Sequence, residues 1–249
     1  MKQPTKADRL SDIAELKEPE IFETELHGMN VGGYLRQGSS DIVFLGGRPG
    51  NGKTMLALQL AYAISQYSSV LFFSLEMTKE QLRSRLSRDR QFNPDCELYI
   101  YSQPSITIEK LIEVSSDHHS RNPLGLIVVD YTQIVQTIGR TKAEEVGEVV
   151  TGLKTLALEL GIPILSLAQL NRNIEARQVG VEFCEPQMSD LADSASIEKW
   201  ADCCLILHRV PKSDGIIKVV CVKNRHGSKT AFNLKLNRGN LRFEDSEGE

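Results

Sequence analysis

The chain has 249 residues, of which 41% are hydrophobic, and 29 basic against 33 acidic residues give a formal net charge of −4. This length suits one sizeable domain or two small ones, with enough apolar residues for a real core. Because the net charge is negative, the chain as a whole does not attract nucleic acid electrostatically. Any polyanion partner must therefore be held by local basic patches. No secretory signal opens the chain and no apolar run approaches the roughly 18 residues of a membrane span, so we expect no membrane partner. The five cysteines show no C-x-x-C spacing, which suits reduced thiols in a cytoplasmic protein.

The first 32 residues differ in kind from the rest of the chain. Leu10, Ile13 and Leu16 are spaced for one apolar face of a helix, and charged residues lie between them. A helix this short is marginal alone, so we expect it to dock, either on its own domain or on a neighbouring subunit. We therefore predict a linker or docking segment over residues 1–32 and one larger domain over residues 33–249.

Residues Gly47–Thr54 match the pattern G-x-x-x-x-G-K-[ST] of the phosphate-binding loop of nucleoside triphosphatases. An apolar strand, Ile42–Leu45, precedes the loop and a helical run, Met55–Ala63, follows it, as this loop requires. Its backbone N–H groups curl around the phosphates, and the helix N-terminus adds partial positive charge. Lys53 would reach the β- and γ-phosphates, and the Thr54 hydroxyl would hold Mg²⁺. The predicted nucleotide-binding residues are Gly47, Arg48, Pro49, Gly50, Asn51, Gly52, Lys53 and Thr54.

Strand-like and helical stretches alternate after this loop, which predicts right-handed crossovers and a mostly parallel sheet with helices on both faces. From Ile216 onward strands follow one another with turn signals between them, which predicts an antiparallel hairpin extension. The predicted helices are Thr54–Tyr67, Thr78–Arg90, Ile108–Ser120 and Glu144–Leu160. The other predicted strands are Ser69–Ser74, Leu98–Ser102, Leu126–Asp130, Ile162–Ala168, Cys203–His208, Ile216–Lys223, Phe232–Leu236 and Asn240–Glu244.

Three of the predicted strands carry a polar side chain suited to phosphate chemistry at or just after their carboxyl end. Asp130 ends an apolar run, the position of a Mg²⁺-binding acid beside a phosphate loop. Glu76 can polarise an attacking water, although it can also be a plain first-turn acid of the helix that Thr78 caps. Gln169 can hydrogen-bond a γ-phosphate and report its loss. Because parallel strands end at one edge of a sheet, we expect these side chains to meet there.

Six segments, in this order, closely resemble the RecA-like motor domain of DnaB-type replicative helicases, and the resemblance runs from about Gly33 to Asp245. It implies an α/β RecA-like P-loop NTPase fold and a homo-hexameric ring on single-stranded DNA. It also implies ATP and Mg²⁺ at sites between subunits, and translocation from 5′ to 3′. The segments are Gly47–Thr54, Ser74–Met77, Leu126–Tyr131, Gln169–Arg172, Met188–Leu191 and Val222–Arg225.

The same resemblance assigns roles by position. Glu76 corresponds to the catalytic carboxylate, Asp130 to the Mg²⁺ acid and Gln169 to the γ-phosphate sensor. Lys223 and Arg225 correspond to a basic pair that reaches the neighbouring subunit's site, where an arginine supplied in trans neutralises transition-state charge. Without that role they would be a solvated hairpin tip. The predicted catalytic residues are Lys53, Glu76, Gln169, Lys223 and Arg225.

The chain also departs from the family pattern. Members usually carry an amino-terminal collar domain that engages primase, for which this chain has no room. The family's central DNA-binding loop usually reads Arg-Glu-Ser-Gly-like, whereas this chain reads Ala192–Ser196, which lacks a basic side chain and predicts weaker DNA binding. Backbone amides at a helix start can still hold a DNA phosphate. The candidate DNA contacts, some of which can be ordinary surface charge, are Arg172, Arg177, Asp193, Ser194, Ala195, Ser196 and Lys199.

Three functions fit these observations. The first is a compact ATP-dependent DNA helicase motor, stand-alone or from a mobile element, whose primase or loader contacts differ from the usual ones. The second is a RecA-like ATPase that remodels DNA or a protein partner without unwinding, which the altered DNA loop mildly favours. The third is a nucleotide-switched oligomerising regulator, and retention of Glu76 argues against it because a pure switch has little need of a catalytic carboxylate.

Overall fold

The computed structural model describes residues 19–88, 92–138, 141–171, 174, 177, 184–192 and 194–246, except for the side chain of Ser194. The helix predicted around Leu10–Leu16 lies outside these residues, as do Arg172 and Asp193. The helices of the described residues are α1 (His27–Val31), α2 (Lys53–Ile64), α3 (Lys79–Leu86), α4 (Ile108–Arg121), α5 (Lys142–Leu160) and α6 (Ser194–Trp200). The strands are β1 (Glu20–Ile21), β2 (Arg36–Gln37), β3 (Ile42–Gly47), β4 (Ser69–Ser74), β5 (Leu98–Ser102), β6 (Leu124–Asp130), β7 (Ile164–Gln169), β8 (Cys203–Arg209), β9 (Ile216–Asn224), β10 (Ala231–Asn237) and β11 (Arg242–Asp245).

A nine-stranded sheet organises the chain, in the order β11-β10-β9-β8-β3-β7-β6-β4-β5. The strands from β8 to β5 run parallel, and β9, β10 and β11 extend the sheet in antiparallel fashion. β3, β4 and β6 are buried at every residue, which explains their continuous apolar sequences. The predicted mostly parallel sheet with an antiparallel carboxyl-terminal extension is therefore confirmed.

Element boundaries differ from the predicted ones where capping and proline decide them. The helix predicted from Thr78 begins one residue later, because the Thr78 side chain accepts a hydrogen bond from Gln81 N and caps the helix. The strand predicted from Ile162 begins at Ile164, because Pro163 has no N–H to donate to a ladder. β1, β2, α1 and α6 were not among the predicted elements, since elements of two to seven residues are too short to show a hydrophobic period.

Hydrophobic clusters cover both faces of the sheet. Along β3, Val43 and Leu45 face one cluster, and Ile42 and Phe44 face the other, as strand alternation requires. Phe22, Leu26 and Met29 belong to the first of these clusters, so the described part of the amino-terminal segment packs on the main core. The domain boundary at residue 33 stays a prediction. Within the described residues, no helix is both long and apolar enough to span a bilayer.

The parallel strands give the sheet a carboxyl edge and an amino edge. At the carboxyl edge Gly47 pairs with Gln169, and Ser74 pairs with Asp130. At the amino edge Asn224, the last residue of β9, pairs with Cys203, the first residue of β8. β3 has six residues, so the two edges lie roughly 15–20 Å apart at about 3.3 Å per residue.

Candidate active site

The loop after β3 has the backbone conformation of a phosphate cradle. Gly50 and Gly52 have φ angles of 81° and 88°, in the left-handed region that favours glycine. Lys53 is the first residue of α2, and its Nζ atom donates to the carbonyl of Gly47 at 2.8 Å. Burial lowers the pKa of Lys53, although the nearby negative charges raise it in part. The ammonium group is therefore folded back inside the loop.

Side chains of the loop fasten it to the ends of two strands. Arg48 Nη1 donates to the carbonyl of Leu170, directly after β7, at 3.0 Å. Asn51 Nδ2 donates to the carbonyl of Leu207 in β8, also at 3.0 Å. The loop is thus braced against both strands that flank β3 in the sheet. Within the loop, Gly47, Arg48 and Asn51 make these internal and bracing contacts. The other predicted loop residues line a pocket beside the loop.

A pocket of about 380 Å³ lies at the carboxyl edge of the sheet. Lys53 and Thr54 from the loop, Glu76 after β4, Asp130 at the end of β6 and Gln169 at the end of β7 all reach it. The strand order β3-β7-β6-β4 puts these strand ends side by side, which is why residues far apart in sequence converge. The complete lining is Pro49, Gly50, Gly52, Lys53, Thr54, Met55, Glu76, Met77, Arg85, Asp130, Tyr131, Gln169, Leu236 and Leu241.

The Asp130 carboxyl group is adapted to bind a cation. It is 1% exposed, and burial raises its pKa to about 6 despite the hydrogen bond with Thr54 and the charge of Lys53. The neighbouring Glu76 raises the pKa further. Its Oδ2 atom is buried and has no hydrogen-bond partner among the described residues. A buried, unpartnered carboxylate oxygen beside a threonine hydroxyl provides the oxygen ligands that Mg²⁺ prefers, so these residues fit the predicted metal.

Six residues of the pocket were not predicted as site residues, and two of them, Met55 and Met77, directly follow the predicted Thr54 and Glu76. Arg85 reaches the pocket from α3 and lowers the pKa of Asp130, and Tyr131 follows Asp130 directly through a cis peptide bond. Leu236 comes from β10, and Leu241 comes from the turn between β10 and β11. Nothing in the sequence distinguished Arg85 from Arg83, which is exposed. The leucines could be placed only from the sheet order.

The last strand of the sheet packs onto the phosphate loop. A Cβ atom on Gly52 would lie 2.6 Å from Cζ of Phe243, so the ring sits against the loop backbone. Phe243 is 1% exposed, and the Gln59 side chain in α2 both accepts from its N–H and donates to its carbonyl, each at 2.8 Å. β11 therefore supports the loop and the first turns of α2 through Phe243.

Lys223 and Arg225 lie at the amino edge of the sheet, which is the edge opposite the one that carries this chain's own phosphate loop. Arg225 Nη1 contacts Asp202 Oδ1 at 3.1 Å, and Nη2 donates to the carbonyl of Lys199 at 2.9 Å. Lys223 Nζ donates to the carbonyl of Glu198. The two side chains thus pack against the end of α6. Within one chain, neither of them reaches that chain's own pocket.

The candidate DNA contacts lie in and before α6. Ala192 N donates to the carbonyl of Gln169 at 3.0 Å, so the segment leading into α6 starts beside the pocket. Arg177 is exposed and forms an ion pair with buried Asp190. Lys199 is exposed and lies over the Trp200 ring, 5.0 Å from its centroid. Ala195 is exposed and Ser196 half-buried, whereas Arg172 and Asp193 are outside the described residues.

A phosphate loop after the central strand, with acids and an amide at the ends of neighbouring strands, defines a P-loop nucleoside triphosphatase with a RecA-like sheet. The family model of the DnaB-like helicase C terminal domain matches residues 28–93 and 84–245. The chain belongs to this family, which confirms the resemblance predicted from its motifs.

Relatives and solved structures agree with this assignment. The chain is 30% identical to a probable replicative DNA helicase of Trieres chinensis, over 88% of this chain and 58% of that protein. It is 32% identical to the replicative DNA helicase DnaB of Geobacillus stearothermophilus, over 82% and 51%. The chain thus spans little more than half the length of these relatives.

Solved structures show the same fold. A separately solved ATPase domain matches with a TM-score of 0.81 and 22% identity, over 96% of both chains. A DnaB-like replicative helicase, from a structure that also describes its interactions with primase, matches with a TM-score of 0.80 and 22% identity, over 92% of this chain and 63% of that one. At these identities the likeness shows the fold, and the predicted RecA-like fold class is confirmed.

Proposed function

We propose that this chain is the ATP-hydrolysing motor of a replicative DNA helicase that translocates on single-stranded DNA as a ring of identical subunits. The observation that carries the proposal is the convergence of Lys53, Thr54, Glu76, Asp130 and Gln169 on one pocket. The family to which the chain belongs, and relatives named as replicative DNA helicases, support the same activity. A primase or a helicase loader is the expected protein partner.

Each group in the pocket has a distinct chemical task. The loop amides and Lys53 would hold the β- and γ-phosphates, and their positive charge would offset the negative charge of the transition state. Thr54 and Asp130 would hold Mg²⁺, which supplies further positive charge at the phosphates when bound. Glu76 would accept a proton from the attacking water, and Gln169 would hydrogen-bond the γ-phosphate.

The remaining charge would come from another subunit. Lys223 and Arg225 lie across the sheet from this chain's own pocket, roughly 15–20 Å from it by strand length. A neighbour packed against the pocket could present them to the phosphates, and hydrolysis would then depend on the arrangement of subunits. DNA would run past Ala195, Ser196 and Lys199 and be held through its phosphates.

A strand-displacement assay on forked DNA tests the proposal. The purified chain should displace a strand in the presence of ATP and Mg²⁺ from a fork with a free 5′ tail, and not from a fork with only a 3′ tail. The matched control is Glu76→Gln protein, which should bind the fork and displace nothing. If DNA stimulates ATP hydrolysis but no strand is displaced, unwinding is contradicted and a remodelling ATPase is favoured. The lack of a basic side chain at Ala192 agrees with that alternative.

A further inference from the structure

We propose that Asp202 is a positioning residue that holds Arg225 ready for the nucleotide of a neighbouring subunit. This inference rests on the trans role of Arg225 in the proposed function. Asp202 lies between α6 and β8 at the amino edge of the sheet, and neither its spacing nor its surroundings marked it in the sequence.

Asp202 contacts Arg225 through both its backbone and its side chain. The Asp202 carbonyl accepts from Arg225 N at 2.9 Å, and Oδ1 accepts from Arg225 Nη1 at 3.1 Å. The Asp202 side chain is only 6% exposed, whereas that of Arg225 is 46% exposed. A buried carboxylate thus anchors a guanidinium whose other face is open to a partner.

The anchor is itself fixed from the opposite side. Asp202 Oδ2 accepts from Lys154 Nζ at 2.8 Å and from Ile42 N at 2.9 Å. Burial opposes ionisation of Asp202, but the hydrogen bonds from Lys154 and Ile42, with the charges of Lys154 and Arg225, lower its pKa overall. The carboxylate is therefore charged and held against the first residue of β3, the strand that carries the phosphate loop at its other end.

The guanidinium keeps donors for a further ligand. An arginine side chain has five N–H groups in a fixed planar fork. Among the described residues, Asp202 and the Lys199 carbonyl are the partners that hydrogen-bond the Arg225 side chain. These contacts fix the orientation of the plane and leave further N–H groups for phosphate oxygens, an arrangement that suits bidentate recognition.

A cation site is the competing explanation for this cluster, because ligand atoms of Asp41, Asp202 and His226 lie within 4.8 Å of one another. The two carboxylates already have cationic partners. Arg36 binds Asp41 Oδ2 through Nε at 3.0 Å and Nη2 at 2.8 Å, and Lys154 and Arg225 bind Asp202. His226 Nε2 lies 2.9 Å from Asp41 Oδ1, so a second buried carboxylate holds the residue next to Arg225. The cluster fixes the turn that carries the arginine.

The test compares Asp202→Asn with wild-type protein in ATP hydrolysis. Asparagine keeps the volume but loses the charge and one acceptor, so Arg225 would be misplaced without being removed. We expect kcat to fall about 10²-fold, the scale of a misplacement of about 1 Å, with KM and nucleotide binding little changed. In an Arg225→Ala background, Asp202→Asn should cause no further loss.

Mixed rings separate positioning from general damage. Asp202→Asn subunits keep an intact phosphate loop, so adding Lys53→Ala subunits, which keep an intact Arg225, should restore activity. Adding Arg225→Ala subunits should restore none, because both members of that mixture are defective on the same side of the interface. A structural defect that impairs the whole subunit would fail in both mixtures, and that result would overturn the inference.

Lys154→Met tests the other side of the same anchor, because Lys154 binds the buried carboxylate and does not contact Arg225. It should lower kcat less than Asp202→Asn does, since Asp202 keeps both of its contacts to Arg225, and a larger loss than that of Asp202→Asn would contradict positioning. If Asp202→Asn fails to fold, Asp202→Glu keeps the charge while displacing it, and its loss should likewise be restored by Lys53→Ala. If Arg225→Ala hydrolyses ATP normally, the trans role of Arg225 is wrong. If Arg225→Ala is impaired but Asp202→Asn hydrolyses ATP normally, the trans role of Arg225 stands and the positioning role of Asp202 is wrong.

Discussion

Burial shapes the chemistry of Asp130 more than any neighbouring charge does. It raises the pKa of this carboxyl group from 3.8 to about 6, so the folded protein binds the proton more tightly than the unfolded chain does. The free energy of unfolding therefore falls as pH rises from about 4 through about 6, and the loss persists above that range. A shift of this size corresponds to about 3 kcal/mol, an order-of-magnitude value.

Asp130→Asn should therefore stabilise the protein while abolishing its Mg²⁺-dependent ATP hydrolysis. In chelator and without nucleotide, we expect a higher melting temperature than wild type at pH 8, and a smaller gain as pH falls below 6. Thermal unfolding at several pH values measures this. Asp202→Asn serves as a control of opposite sign, because its pKa is lowered, so removing that charge should destabilise at pH 8. Equal melting temperatures for Asp130→Asn and wild type at pH 8 would contradict the account.

Glu76→Gln should uncouple binding from hydrolysis. The amide keeps the shape of the pocket and leaves Lys53 and the loop intact, but it cannot accept a proton from water. We expect nucleotide affinity close to that of wild type and a loss of kcat on the order of 10²-fold or more, measured by fluorescent-nucleotide titration and steady-state hydrolysis. Near-normal turnover would remove Glu76 from the catalytic role. It would also not be a first-turn acid of α3, as the sequence alternatively suggested, because it precedes the Thr78 cap and the first-turn acid is Glu80.

At the scale of elements, the sequence predicted what depends on local pattern. Apolar runs and the residues that end them identified Glu76, Asp130 and Gln169, because parallel strands bring their ends to one edge. Arg85 could not be found this way, since its position in the pocket depends on how α3 returns over the sheet. Leu236 and Leu241 depend on the antiparallel strands being added beside β8, which only the tertiary pairing shows. Long-range contacts were thus the part that the sequence left open.

The packing of β11 on the phosphate loop should couple stability to nucleotide binding. Phe243→Ala removes a buried ring that contacts Gly52, so we expect a loss of about 3–5 kcal/mol in the free energy of unfolding. Nucleotide affinity should fall as well, because the loop loses its lateral support. Denaturant unfolding and nucleotide titration measure the two effects. Phe232→Ala in β10 is the control: that ring is only half-buried and packs by Gly28 and Tyr34, so nucleotide affinity should not change.

At the scale of the whole molecule, a chain of net charge −4 can hold DNA only through a local set of contacts. Affinity for single-stranded DNA should fall steeply with salt, by a similar factor for unrelated sequences, because phosphate contacts release counterions. Ala192→Arg should tighten binding, since it adds a cation where the segment leaves Gln169 towards α6. Fluorescence anisotropy at several salt concentrations measures both, with Ala192→Gln as a neutral control. Sharp discrimination between oligonucleotides would contradict binding through phosphates.

Shared active sites should be visible by mixing two inactive proteins. Lys53→Ala spoils the phosphate loop and Arg225→Ala spoils the residue offered to a neighbour, with a loss on the order of 10³-fold for the latter if it acts in trans. Each mixed interface with Lys53 from one subunit and Arg225 from the other is intact, so hydrolysis should reappear at intermediate ratios. Particles shown to contain both variants yet inactive at every ratio would count against shared sites.

Helix α6 joins the two edges of the sheet, and this gives it a special place in an assembly. Its approach segment hydrogen-bonds Gln169 at the chain's own pocket, and its last turn accepts hydrogen bonds from Lys223 and Arg225. Seven helical residues span only about 10 Å, so a rigid-body shift of the helix would move both of its ends together. In a ring, each such helix would connect two successive nucleotide sites. A change in nucleotide affinity caused at one site would be matched by an equal change in free energy at the other. The polarity of the sheet would set the direction in which subunits act in turn.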